Sequence, residues 1–217
     1  MMNSRPSYPF LFITLFCVTA SFAQTHYSID LMSGYVFNLR SPLLIQEQGK
    51  DNQVLMVDYK TESLSGLPYF LLRFNFHFAD RALEIQFLHH KITMTSPQGP
   101  VQQFEINHGF NILSFHYRLR MDFLNLRFGA GAIIAYPESI VSGHSFSGSG
   151  GLFDSGYYLA GPAILVGANK AFTLSEKLYL NTEILFTTAW ALVPTATGQG
   201  FASNFAVHFL LGGGYQF

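Results

Sequence analysis

Residues 68–78 read Pro-Tyr-Phe-Leu-Leu-Arg-Phe-Asn-Phe-His-Phe, and this stretch decides the fold class. Apolar side chains occupy every second position, whereas Arg73, Asn75 and His77 occupy positions between them. Because successive side chains of a β-strand point to opposite faces, this alternation predicts a strand with one apolar face and one polar face.

The same alternation recurs along the chain and predicts seven more strands, near residues 27–38, 83–90, 108–119, 124–136, 156–169, 178–186 and 204–217. The connections alternate in length. Those at 79–80, 121–122 and 170–176 are short, whereas those at 39–66, 96–102, 138–155 and 192–200 are longer. Short turns at one rim and long loops at the other are typical of transmembrane β-barrels. In such a barrel, the apolar residues within 39–66 indicate that part of this segment extends the first hairpin above the membrane.

The composition narrows the possible classes of protein. Of the 217 residues, 12% are charged and 49% are hydrophobic, which excludes a disordered chain. Beyond the N-terminal stretch, no apolar run of about 18 residues could cross a bilayer as a helix. The net charge of −1, without basic clusters, excludes nucleic acid as a partner.

A closed eight-stranded antiparallel up-and-down transmembrane β-barrel satisfies all of these observations. Closure leaves no unpaired strand edge in lipid, and outward positions must be apolar. A water-soluble β-sandwich or lipocalin-like barrel is the alternative, but its exposed aromatic bands would cause aggregation. Pro162 conflicts with a regular sixth strand, so we expect either a bulge at Gly161-Pro162 or different strand limits there.

The N-terminus has the features of a cleaved signal peptide over residues 1–23, which leaves residues 24–217 as the barrel. Arg5 supplies the positive charge, an apolar stretch follows, and Ser21-Phe22-Ala23 is a small-x-small cleavage site. A lipoprotein signal at Cys17 is the alternative, although bulky Phe16 precedes it. Cleavage would remove the only cysteine and therefore exclude disulfides.

The chain resembles the small eight-stranded outer-membrane barrels of Gram-negative bacteria. The final Gly-Tyr-Gln-Phe, ending at Phe217, is similar to the C-terminal signal read by the barrel-assembly machinery. The resemblance implies localisation in the outer membrane. It also implies outer-membrane lipids, lipopolysaccharide and the assembly machinery as partners.

Polar residues cluster at the extracellular ends of the third and fourth predicted strands. The register of this hairpin can be written as the sum of the residue numbers of two residues that face each other. If that sum is 198, His90 lies opposite His108 on the lumen face. Two imidazoles there can share a divalent metal, with Glu84 or Glu183 as a third ligand. Sums of 196 or 200 would separate the two histidines. The structural alternative is a polar core whose members satisfy one another.

Simple alternation points His89 and Lys91 outward, toward the phosphates of lipopolysaccharide, unless a local bulge turns them inward. The alternative is an interfacial rim in which the lysine snorkels.

A narrower resemblance is carried by several short motifs. They are Glu84, His89-x-Lys91, Phe104-x-Ile106-x-His108-Gly109-Phe110-Asn111, Gly129-x-Gly131 and Tyr158-x-x-Gly161-Pro162. These motifs are similar to outer-membrane barrels grouped with the lipid A oxidase. The resemblance implies oxygen-dependent oxidation of the proximal glucosamine of lipid A, with a divalent cation.

On this hypothesis His89 and Lys91 would anchor phosphate and Asn111 would donate to a sugar hydroxyl, while His90, His108 and Glu84 would hold the metal. The alternatives are a non-enzymatic structural or adhesive barrel and a narrow channel.

Overall fold

The computed structural model describes residues 26–61 and 68–217, and the signal peptide expected at 1–23 lies outside them. No helix in the two described ranges has the length and apolar character needed to cross a membrane. These ranges form thirteen strands and one short 3-10 turn. The strands are β1 (His26–Leu39), β2 (Ser41–Glu47), β3 (Gln53–Val57), β4 (Tyr59–Lys60), β5 (Phe70–Phe78), β6 (Arg81–Met94), β7 (Val101–Arg120), β8 (Asn125–Ala135), β9 (Glu138–Val141), β10 (His144–Ser147), β11 (Tyr158–Thr173), β12 (Leu178–Thr195) and β13 (Gly198–Gln216).

Eight of these strands close into an antiparallel ring. The order around the ring is β1-β5-β6-β7-β8-β11-β12-β13, and β13 pairs with β1 to complete it. Ile29 pairs with Tyr215 at this closure, near the rim of short turns. The closed eight-stranded barrel predicted from the sequence is confirmed.

The five remaining strands extend the ring on the side of the long loops. β2 continues from β1 along β13 and forms a hairpin with β3, as expected for part of the 39–66 segment. β4 pairs with the end of β6, and β9 links β7 to β10. The long loop expected at 192–200 is wrong, because β12 and β13 continue through it and leave only residues 196–197 as a turn.

The outside of the ring is apolar. Phe74, Phe115, Phe186 and Leu211 are all exposed, and Phe115 reaches 65% exposure. Each alternates with buried residues on the same strand, so the apolar faces do not pack against one another. This distribution rules out the water-soluble sandwich, in which those faces would form the core.

The inside of the ring is filled in two layers. Apolar side chains fill the half nearer the long loops; they include Leu88, Phe110, Ile112, Ile133, Leu165 and Leu185, all fully buried. Charged and amide side chains fill the half nearer the short turns. They include Asp30, Arg73, Glu84, Arg127, Asn181 and Glu183, all almost completely buried. The lumen therefore contains a packed core, as expected for eight strands.

The expected irregularity near Pro162 is a bulge located slightly earlier in the strand. The ladder between β11 and β8 shifts between Leu159 and Gly161, so Ala160 is the extra residue. Gly161 has φ of 151°, and an added Cβ there would collide with the Trp190 carbonyl oxygen. After the bulge Pro162 occupies an outward position opposite Ala132, and the strand continues with inward Ala163 and Leu165.

Candidate functional site

Two interruptions of the hydrogen-bond ladder coincide on the two sides of β6. Toward β7, the pairing passes from His90 with Phe110 to Ile92 with Ile106, so Lys91 alone faces residues 107–109. Toward the other side, the pairing passes from Phe70 with His89 to Lys60 with Thr93, where β5 gives way to β4. Gly109 has φ of 148°, a conformation that few other residues tolerate. The barrel wall is therefore irregular on both sides of Lys91.

His89 and Asn111 pair directly below this irregularity, on the outward face. His89 lies opposite Asn111 in the ladder, and its Nδ1 atom is 2.7 Å from the Asn111 Oδ1 atom. A side-chain amide oxygen only accepts hydrogen bonds, so Nδ1 carries the proton and Nε2 keeps a lone pair. Nε2 is buried and has no hydrogen-bond partner among the described residues. This arrangement orients an imidazole whose basic nitrogen is not engaged.

The surroundings of His89 hold the ring in place. It shares the outward face with Phe87, and the Phe70 ring stacks on it with centroids 5.5 Å apart, leaving His89 only 1% exposed. Lys91 is also buried, and its carbonyl accepts a 2.7 Å hydrogen bond from the Thr61 hydroxyl. His89 is eight positions along β6 from Arg81, which lies at the short-turn rim. In a tilted strand this spans about 20 Å of an apolar band about 25 Å tall, so the pair lies near the outer boundary of the band.

The structure does not bring His90 and His108 together. The expected sum of 198 is wrong for this pair, because His90 lies opposite Phe110, which gives a sum of 200. The pairing changes from a sum of 200 at His90 to a sum of 198 at Ile92, which pairs with Ile106. The bulge at Gly109 lies between these two pairs and turns His108 outward. There His108 is exposed and contacts the Tyr136 ring at a centroid distance of 5.1 Å. The shared metal site drawn from this pairing therefore has no support in the register.

His90 instead lies inside the barrel. It is fully buried, and its ring packs edge-to-face against those of Phe110 and His208, at centroid distances of 5.7 and 5.3 Å. The two ring nitrogens of His208 form hydrogen bonds with the hydroxyl groups of Tyr69 and Thr187, each at 2.9 Å, one nitrogen as donor and the other as acceptor. No group of three or more His, Cys, Asp or Glu side chains within residues 26–61 and 68–217 is arranged to hold a metal ion. The divalent cation implied by the resemblance therefore does not fit the residues that were expected to bind it.

Glu84 belongs to a buried ionic network near the short turns. Its carboxylate lies 3.2 Å from Nε of Arg118 and 3.2 Å from Nε of Arg127. Arg73 joins the network through Glu183 and Asp30. Three arginines thus face three carboxylates, and the network carries no net charge. Glu84 neutralises arginines there, which is the structural alternative considered for the polar face.

A second polar cluster ties three loops together at the opposite end of the molecule. The Glu47 carboxylate accepts hydrogen bonds from Lys50 at 3.0 and 3.1 Å, from Ser142 at 3.0 Å and from Thr197 at 3.1 Å. The hydrogen bond from the Lys50 ammonium lowers the pKa of Glu47 and outweighs burial, which acts in the opposite direction. Glu47 therefore remains ionised at neutral pH and joins the β2–β3, β9–β10 and β12–β13 connections.

Reasoning from the sequence missed three contributors to these sites. The stacking of Phe70 on His89, the bond from Thr61 to Lys91 and the Glu47 cluster all depend on strand register. One signal was present: a glycine inside a strand pattern often marks a bulge, and Gly109 is such a glycine.

Comparisons with solved structures return outer-membrane barrels at low identity. The attachment invasion locus protein Ail of Yersinia pestis is 14% identical over 89% of this chain and 97% of that chain, with a TM-score of 0.40. Neisserial surface protein A is 6% identical over the same shares, with a TM-score of 0.41. The outer membrane protein AlkL is 13% identical over 100% of this chain and 97% of that chain, with a TM-score of 0.45. No protein-family model and no curated protein matches the chain.

Proposed function

We propose that this protein is an outer-membrane barrel that acts on the headgroup of lipid A from the outer leaflet, with His89 as its central residue. The observation that carries the proposal is the His89–Asn111 pair. It is a polar pair at an outward-pointing position of the barrel wall, near the outer boundary of the hydrocarbon. The Phe70 ring covers it, and the Nε2 lone pair has no hydrogen-bond partner among the described residues. Lipid A presents phosphates and sugar hydroxyls at that height.

The geometry supports proton abstraction as the chemistry of this site. An imidazole with its proton fixed on Nδ1 acts as a general base through Nε2 once a sugar hydroxyl displaces the side chains that cover it. Asn111 positions His89 by accepting a hydrogen bond from its Nδ1–H group. The oxidation implied by the resemblance also requires molecular oxygen and a divalent cation, and we derive no step through that cation.

Mass spectrometry of lipid A tests the proposal. Cells that express the protein under aerobic growth should contain a lipid A species with an added oxygen, and anaerobic cells should lack it. His89→Ala should abolish this species. The matched control is His144→Ala, since His144 is an exposed histidine on β10, away from the site. An unchanged lipid A profile in the His89→Ala cells would contradict the proposal, provided that the variant barrel is folded.

A non-enzymatic surface barrel is the second candidate, and Phe153 favours it. This side chain is fully exposed at the tip of the loop between β10 and β11, with φ of 53°. The adjacent Leu152 is exposed as well, and a contiguous apolar patch on a loop is a feature of protein interaction surfaces. Identical lipid A profiles in cells with and without the protein, together with cell binding that depends on Phe153, would favour this function. The packed lumen argues against a channel, and conductance steps in a planar bilayer would contradict that argument.

The outer-membrane location and the assembly partner belong to the same proposal. The apolar exterior requires a lipid surrounding, and lipopolysaccharide supplies it in the outer leaflet. Phe217 is exposed at the short-turn end, with its ring 5.1 Å from that of Tyr215. Its position at the end of β13 is compatible with recognition by the barrel-assembly machinery before closure, and deletion of Phe217 should reduce the amount of assembled barrel.

A further inference from the structure

An apolar trough crosses the outside of the barrel near the short-turn rim. It has a volume of about 490 Å³ and runs over β11, β12 and β13. Ala168 and Thr182 form its floor, because both side chains are small. Ile184, Phe209 and Leu211 are larger, are exposed and rise beside the floor.

The register explains why the trough is continuous and apolar. Ala168 pairs with Ile184, which pairs with Phe209, and Thr182 pairs with Leu211 in the adjacent row. The one hydroxyl of the floor, on Thr182, donates to the Lys170 carbonyl at 3.3 Å. This bond turns the polar atom toward the backbone, so an apolar chain can lie in the trough without leaving a hydroxyl unpaired.

A single ammonium group marks the rim end of the trough. Lys170 lines the trough, and its Nζ atom lies 3.7 Å from the centre of the Phe123 ring in the turn between β7 and β8. No carboxylate lies within ion-pair distance of Lys170 in the described part of the chain. Lys170 is three residues from the end of β11, at the height where the headgroups of the inner leaflet begin.

We propose that the trough binds one acyl chain of an inner-leaflet anionic phospholipid, whose phosphate contacts Lys170. The apolar walls suit the acyl chain, and the cation at the rim end complements the phosphate. A lipid with net negative charge is preferred over a zwitterionic one, because the ammonium of a zwitterionic headgroup would itself compete for the phosphate. This site lies in the opposite leaflet from His89, so it goes beyond the proposed function and does not depend on it.

Native mass spectrometry of the detergent-solubilised barrel tests the site with phosphatidylglycerol as the probe. The wild-type protein should retain one phosphatidylglycerol in preference to phosphatidylethanolamine. Lys170→Gln should weaken retention of phosphatidylglycerol about tenfold, as expected for the loss of one charge-assisted contact. Ala168→Phe should abolish retention of both lipids by filling the floor.

Lys177→Gln is the matched control, because Lys177 lies on the neighbouring turn and outside the trough. It should retain phosphatidylglycerol as the wild type does. A heat-dependent shift in gel mobility shows that each variant is folded. Three results would overturn the proposal: wild-type retention by Ala168→Phe, equal losses for Lys170→Gln and Lys177→Gln, or no preference between the two lipids. A dimer that is lost on Ala168→Phe would also overturn it, since the trough would then hold a second copy of the chain.

Discussion

The guanidinium group of Arg73 and the carboxylate of Glu183 form a two-point ion pair across the barrel interior, with both nitrogen–oxygen distances at 2.9 Å. Neither side chain is exposed. Arg127 binds the same carboxylate, so Glu183 neutralises two arginines at once. Removal of one member would therefore leave a buried charge without its partner.

Removing this carboxylate should strongly destabilise the barrel. Glu183→Ala leaves Arg73 and Arg127 buried without the carboxylate that both of them bind. We expect a loss of about 3–5 kcal/mol in the free energy of unfolding. Urea unfolding in lipid vesicles measures the change. Asp80→Asn is the control, since Asp80 lies exposed in the turn between β5 and β6, and it should differ from the wild type by less than about 0.5 kcal/mol.

A charge on the lipid-facing side should also be costly. Phe115 is an outward residue five positions from the short-turn end of β7, which places it near the middle of the apolar band. Phe115→Arg should therefore reduce the free energy of unfolding in vesicles by about 2–4 kcal/mol. Phe153 is even more exposed but lies on a loop above the barrel. Phe153→Arg should have little effect on unfolding. Equal effects of the two substitutions would show that the membrane does not surround the strands at Phe115.

Asn111 should matter as much as His89 for the proposed activity. Asn111→Leu removes the acceptor for Nδ1, so the proton is no longer fixed on that atom and Nε2 loses its assigned role. We expect the oxygenated lipid A species to fall to the level seen with His89→Ala. The stability cost should be about 1–3 kcal/mol, since a buried donor is left unpaired. Full activity in a folded Asn111→Leu barrel would remove Asn111 from the site.

The polar cluster around Glu47 that joins the long-loop connections should loosen in acid. The pKa of Glu47 is lowered in the folded protein by the bond from Lys50. The contribution of ionised Glu47 to the stability of the joined loops is therefore fully present above the pKa of Glu47 in the unfolded chain, near 4.3. It is lost as the pH falls through the lower pKa of Glu47 in the folded protein. The amide of Gln48, which donates to the Thr197 carbonyl at 3.0 Å, reports on the joined loops. Its hydrogen-exchange protection should fall on acidification, and Glu47→Gln should make protection low and independent of pH over this range.

The strands and their faces could be predicted from the sequence because side-chain direction in a strand has period two. Phe74 and Phe76 are outside, and Arg73 and Asn75 are inside, as the 68–78 segment indicated. The same rule placed Glu84, His90 and Asn181 in the lumen. It failed at His108, because the bulge at Gly109 changes the register within the strand.

The loop prediction at 192–200 failed for a different reason. Its Gly, Pro and Thr residues are typical of a loop, yet β12 and β13 continue through it because β2 pairs with β13 above the barrel and covers the edge. Ladder hydrogen bonds supplied by another part of the chain outweighed the local preference.

The alternation of apolar and polar side chains, which is a local property, determined the barrel and its lipid-facing side. Pairing across strands is not local, since a shift of two residues preserves every face while changing every neighbour. The tertiary structure alone therefore decided that His89 meets Asn111, that His90 and His108 separate, and that Glu183 joins two arginines inside the barrel.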